Sequence, residues 1–127
     1  PMNLLSDKET AAYSDTGVWG AKAIKEAKLF GNVEIVCSSK ESNYTFIPKD
    51  FAVPNDAKYF HITTNNTIYG TQWQKIPHTS NSLVADMSSD ILSRVLDFNK
   101  FDLLLFLLCW DQSDYRTFLH LLRYPVH

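Results

Sequence analysis

Leu83-Val84-Ala85-Asp86-Met87-Ser88-Ser89-Asp90-Ile91-Leu92-Ser93-Arg94 is the stretch on which the reading of the fold turns. Three apolar residues run into an acid, and Met87 and two serines follow it. The pattern predicts a short buried strand that ends at Asp86 and opens into a loop. A carboxylate at the end of an apolar strand is costly to bury unless a cationic group meets it. In open α/β sheets, ligands bind just beyond the carboxyl ends of the strands. Asp86 is therefore the first candidate functional residue. The alternative is an acid that caps the next turn, as Asp commonly does, with Ser88 and Ser89 as ordinary loop residues.

The preceding segments repeat the theme. Tyr59-Phe60-His61-Ile62-Thr63 is a strong strand signal, and it runs into Thr64-Asn65-Asn66-Thr67, a polar cluster again at a strand's carboxyl end. By residue type alone the Thr67 hydroxyl reads as a turn cap, which Thr often supplies. Thr71 to Ser82, with Pro77, reads as a loop, and Trp73 within it as a surface or interface aromatic. Further back, Ala11-Ala12-Tyr13-Ser14-Asp15 reads as a short strand of weak β propensity. Thr16-Gly17 is a turn and cap signal.

The clearest helix follows, over about Val18 to Phe30. Trp19, Ala23, Ala27 and Phe30 fall on one face at helical spacing, with Ile24 beside them. Lys22, Lys25, Glu26 and Lys28 take the other side, and Gly31 supplies the stop. The strand-turn-helix order sets Thr16 to Trp19 at a helix N-terminus, where free backbone N–H groups favour anions. By spacing alone Trp19 fits the apolar face, so a core aromatic is the alternative to a binding role. Val33 to Cys37 reads as a strand, Ser38 to Asn43 as a polar loop and Tyr44 to Ile47 as a short extended piece. Pro48 to Lys58 is loop-like. Met2 to Leu5 reads as the frayed end of a helix, joined to the first strand by a polar link.

With 127 residues the chain can bury one modest core. A net charge of −2 gives no argument for a nucleic-acid or anionic-membrane partner. Cys37 and Cys109 are far apart and form no CxxC, which suits a reducing, cytoplasmic setting better than a disulfide framework. No apolar run approaches a membrane span. His61, His78, His120 and His127 show no ligand spacing, so no metal site is expected, and His61 reads as a packing residue.

Several motifs resemble those of the phosphoserine aminotransferase family. Val84-Ala85-Asp86-Met87-Ser88-Ser89, then Ile91-Leu92-Ser93-Arg94 and Asp97-Phe98-Asn99-Lys100-Phe101, is similar to the family's V-A-D-M-S-S-x-I-L-S-R-P-I-D-V-S-K-[FY] run, with Val95 and Leu96 where the family has Pro and Ile. Thr16-Gly17-Val18-Trp19 with Ala21 to Gly31 is similar to T-G-x-W-x-x-K-A-x-x-E-A-x-x-[FY]-G. His61 to Gly70 resembles H-x-x-x-N-x-T-I-x-G, with Asn66 where the family more often has Glu, so Asn66 is given no role. The resemblance implies part of the large domain of a fold-type I transferase, an α/β fold with a mostly parallel sheet and packed helices. It implies pyridoxal phosphate as cofactor, Asp86 on its protonated ring nitrogen, Trp19 stacked on its ring, and Thr67 on its ring-hydroxyl or phosphate side. An acid beside that nitrogen lets the ring take up electrons from the substrate. It also implies a homodimeric parent that moves an amino group between glutamate and 3-phosphohydroxypyruvate in serine biosynthesis.

The resemblance covers about residues 1–103. The family continues into a G-A-Q-K-N loop whose lysine forms the Schiff base, expected near position 110, where this chain has Trp110. No lysine follows Lys100, so no catalytic residue is assigned. Residues 104–127 are expected to be a divergent tail, from a shifted frame or a splice. The first residue, Pro1, suggests that the chain begins inside a longer reading frame, with the family's Gly-rich phosphate segment before it. The expected product is an incomplete, inactive piece of the enzyme. The rival expectation is a non-catalytic α/β module that binds a partner. A nucleotide-binding domain fits less well, with no GxGxxG or P-loop.

Overall fold

In the computed structural model, which describes residues 4–108, 118–119 and 122–123, Leu83 to Asp86 does form a strand inside a parallel sheet. The main elements are β1 (Thr10–Asp15), α1 (Val18–Ala27), β2 (Asn32–Ser38), β3 (Tyr59–Thr63), β4 (Asn65–Asn66), β5 (Thr71–Gln72), β6 (Ser82–Asp86) and β7 (Leu103–Leu105). Short pieces β8 (Leu107–Leu108), β9 (Phe118–Leu119) and β10 (Leu122–Arg123) follow. The sheet runs β10-β7-β6-β3-β1-β2. The pairs from β2 through β7 are parallel, and β10 adds an antiparallel edge. This is the mostly parallel α/β fold that the sequence implies.

Alternation of side chains explains why the strands are apolar on both faces. Ala12, Phe60, Ile62, Leu83, Ala85 and Leu104 enter one buried cluster. Ala11, Tyr13, Tyr59, Val84 and Leu103 enter the other, which α1 closes with Ile24 and Ala27. The first face has no long helix among the described residues. Loop residues Ile47, Phe51, Val53, Ile76, Ile91 and Phe98 pack there instead.

Four expectations change. The helix ends at Ala27 rather than Phe30, and a turn follows in which Gly31 N–H donates to Ala27 O at 3.2 Å. Gly31 lies past the helix end, where a Cβ would come within 2.6 Å of Ser6 O. Trp73 is no surface aromatic. It is 3% exposed and meets Phe51 edge-on at 6.0 Å. Thr71 and Gln72 form β5, paired with β4, inside the expected loop. Tyr44 to Ile47 is not extended at its start, because Asn43 and Tyr44 both take positive φ, 51° and 57°. That turn swings the Tyr44 hydroxyl onto Asp15, at 3.1 Å. Trp110, where the family's lysine was expected, lies outside the described residues.

Candidate functional site

The chain leaves β1 through α1 to β2 on one side, and leaves β3 towards β6 on the other. The neighbouring carboxyl ends of β1 and β3 are thus the topological switch point, where an open parallel sheet forms its crevice. A narrow crevice too tight to hold a water molecule lies there, lined by Thr16, Gly17, Trp19, Gly20, Thr63 and Asn66. A larger cavity of about 960 Å³ lies between residues 46–53 and 71–80, and none of the three candidate residues lines it. Of the three, Trp19 alone lines the smaller one.

Trp19 stands in the first turn of α1 and is 47% exposed. It is not on the buried face, which is formed by Gly20, Ile24 and Ala27, so the core-aromatic alternative fails. Lys22 Nζ lies 4.4 Å from the indole centroid. That contact steadies an exposed ring and places positive charge near the helix N-terminus.

Asp86 ends β6, half-buried. Its Oδ1 accepts from Ser88 N–H at 3.0 Å and Ser88 Oγ–H at 2.7 Å, while no described residue donates to its Oδ2. The turn-capping alternative therefore holds for one oxygen and leaves the other for a ligand. Asp15, at the end of β1, carries the same sequence signal with a different outcome. Both its oxygens are taken, one by Tyr44 at 3.1 Å and one by Ser38 at 3.3 Å. Burial, then the Asp15 charge, pushes the Tyr44 hydroxyl up to about 12. The same two causes hold the Cys37 thiol at about 12, an unreactive state.

Thr67 lies in the turn between β4 and β5, exposed. The residue before it, given no role from the sequence, fixes that turn. Asn66 is 5% exposed, donates from Nδ2 to Thr16 O at 2.9 Å, and accepts from Tyr69 N–H at 3.4 Å. It packs so tightly on Gly17 that a Cβ there would come within 2.4 Å of Asn66 Nδ2. Asn66 is thus the latch joining the β1–α1 turn to the Thr67 turn. The sequence carried no signal for it, because Gly17 and Asn66 are far apart in the chain.

Beneath the cleft, His61 is buried and stacks on Tyr13 at 4.8 Å. Burial lowers its imidazole to about 4, against the pull of the Asp86 charge. It is a neutral packing residue. Among the described residues no group of three or more His, Cys, Asp or Glu could hold a metal ion, and no helix is long and apolar enough to cross a membrane.

A mostly parallel sheet of this order with α1 packed on one face is the α/β fold of fold-type I transferases. Similarity to known proteins narrows the class. No family model matches the chain. The phosphoserine aminotransferase of Flavobacterium johnsoniae is 60% identical over 104 residues, which are 82% of this chain and 29% of that protein. That of Bacillus subtilis is 52% identical over 105 residues, with the same shares. The solved phosphoserine aminotransferase from Bacillus circulans subsp. alkalophilus superposes with a TM-score of 0.79 at 46% identity, over 84% of this chain and 30% of that one. The pyridoxal-phosphate-bound enzyme from Trichomonas vaginalis gives a TM-score of 0.72 at 28% identity, over 84% and 31%. Over these residues the chain is similar to phosphoserine aminotransferases, and it spans about 30% of the length of the relatives it matches.

Proposed function

We propose that this chain is the ring-binding wall of a phosphoserine aminotransferase, and that Trp19, Thr67 and Asp86 are its cofactor-binding residues. The reading is supported by the exposed Trp19 indole at the start of α1, by Thr67 in the exposed β4–β5 turn, and by Asp86 at the end of β6, whose Oδ2 takes no donor among the described residues. Pyridoxal phosphate, when bound, supplies an electron-withdrawing ring. Asp86 would hold the proton on the ring nitrogen, and an anion fixed in place by Ser88 costs no reorganisation. The Trp19 indole would cover the ring, and Thr67 would offer its hydroxyl to the ring-oxygen or phosphate side. The open carboxylate oxygen of Asp86, an acceptor, and the exposed indole suit a flat cationic heterocycle.

The parent activity is amino transfer between glutamate and 3-phosphohydroxypyruvate in serine biosynthesis, in a cytoplasmic homodimer. These 127 residues alone have no such activity. The division at about residue 103, with a divergent tail after it, removes the lysine that moves the proton at the substrate carbon. The tail and the lysine-free run after Lys100 support that reading. The assay is 2-oxoglutarate formation from glutamate and 3-phosphohydroxypyruvate with added pyridoxal phosphate, followed by borohydride reduction and mapping of adducts. The expected outcome is turnover no faster than that of free cofactor, with adducts scattered over surface lysines. Sustained turnover with one dominant adduct, for example at Lys100, would contradict it.

A further inference from the structure

The larger cavity, of about 960 Å³, lies apart from the proposed cofactor residues, between residues 46–53 and 71–80. Its volume is at the upper end of the range, about 300–1,000 Å³, in which proteins take small molecules. Its wall is apolar. Ile47, Phe51, Val53 and Ile76 line it half-buried against the core, and Trp73 lines it almost fully buried. Phe51 meets two rings, Phe60 at 5.6 Å and Trp73 at 6.0 Å, so that wall is held in shape without a ligand. Phe46 lines the same space while 48% exposed, so the cavity opens to solvent past an apolar edge. The charge on the lining has one sign. Lys49 and Lys75, both exposed, line it with His78, and no Asp or Glu does, in a chain with 14 acidic and 12 basic residues. Neither ammonium pairs with a carboxylate among the described residues. Asp50, next to Lys49 in the chain, does not line the cavity.

We propose that this cavity binds an apolar carboxylate, a long-chain or aromatic monoacid. Its body lies on the Phe51–Trp73 wall and its carboxylate meets Lys49 and Lys75. Burial of hydrocarbon supplies the affinity. The two ammonium groups supply the choice of sign, since the wall alone would take a neutral or cationic chain as readily. The cofactor of the proposed function is a poor match here, because its protonated ring nitrogen would meet no acid.

The test titrates the 127-residue chain with dodecanoate, below its micelle concentration, and follows the tryptophan indole signals by nitrogen–proton correlation. The Trp73 signal should move and saturate while the Trp19 signal stays in place. Dodecyltrimethylammonium has the same chain and the opposite charge, and needs no variant for the comparison. It should bind about tenfold more weakly, and added salt should narrow the gap. Replacing both lysines, Lys49→Gln with Lys75→Gln, should weaken dodecanoate binding about tenfold and leave the ammonium's affinity no lower. Both side chains are exposed, so the melting temperature of the double variant should match that of the parent. Equal affinity for the two amphiphiles, unchanged dodecanoate binding in the double variant, or a Trp73 signal that stays in place would each overturn the inference.

Discussion

Asp86 and Asp15 are chemically alike and both end an apolar strand, yet only Asp86 keeps an oxygen without a donor among the described residues. The difference lies in what the following loop brings back: Ser88 reaches one oxygen of Asp86, whereas Tyr44 and Ser38 close on both oxygens of Asp15. The Gly17–Asn66 contact offers a second residue-scale test. Gly17→Ala should cost about 1–3 kcal/mol, because its Cβ would overlap a buried amide. Combining it with Asn66→Ala should cost less than the sum of the two single changes in urea titrations, since the second change removes the overlap. A third concerns His61. The unfolded imidazole takes its proton near 6.5, and burial holds the folded one to about 4. Between those values the unfolded state binds more protons, so stability falls as the pH drops through that window, by roughly 3 kcal/mol in all. His61→Phe keeps a ring on Tyr13 and should abolish that part of the slope. An unchanged slope would show that other groups set it.

At the scale of elements, the loop after β6 is held by one buried acid. Asp90 is 1% exposed and accepts from Gln72 at 2.6 Å, Ser93 at 2.5 Å and Arg94 at 3.2 Å, while Arg94 also donates to Trp73 O at 2.6 Å. These bonds tie the loop that begins at Asp86 to the end of the β4–β5 hairpin. Arg94→Ala should cost about 3 kcal/mol by leaving Asp90 without its cation, measured by urea denaturation. Replacing Asp90 and Arg94 together by Leu and Met should cost less. None of this was legible in the sequence, because Gln72 and Asp90 are distant and neither sits in a periodic pattern. The strands were legible, since Tyr59 to Thr63 and Leu83 to Asp86 are nearly continuous apolar runs, the mark of strands covered on both faces. Helix periodicity placed α1 but misassigned Trp19. One apolar stripe was counted too wide at the first turn, where Gly20 and not Trp19 meets the sheet. Trp73 was misread for the opposite reason: a short polar hairpin can carry one large side chain back into the core.

For the molecule as a whole, the proposed function sets the cofactor ring against the exposed Trp19 indole and the end of β6, and not in the larger cavity beside Trp73. Tryptophan indole N–H signals report on both places in one nitrogen–proton correlation spectrum. On titration of the chain with pyridoxamine 5′-phosphate, the Trp19 indole signal and the Ser88 amide should move together and saturate at one concentration, while the Trp73 indole signal stays in place. Movement of the Trp73 signal with a stationary Trp19, or no saturable movement at all, would contradict the account.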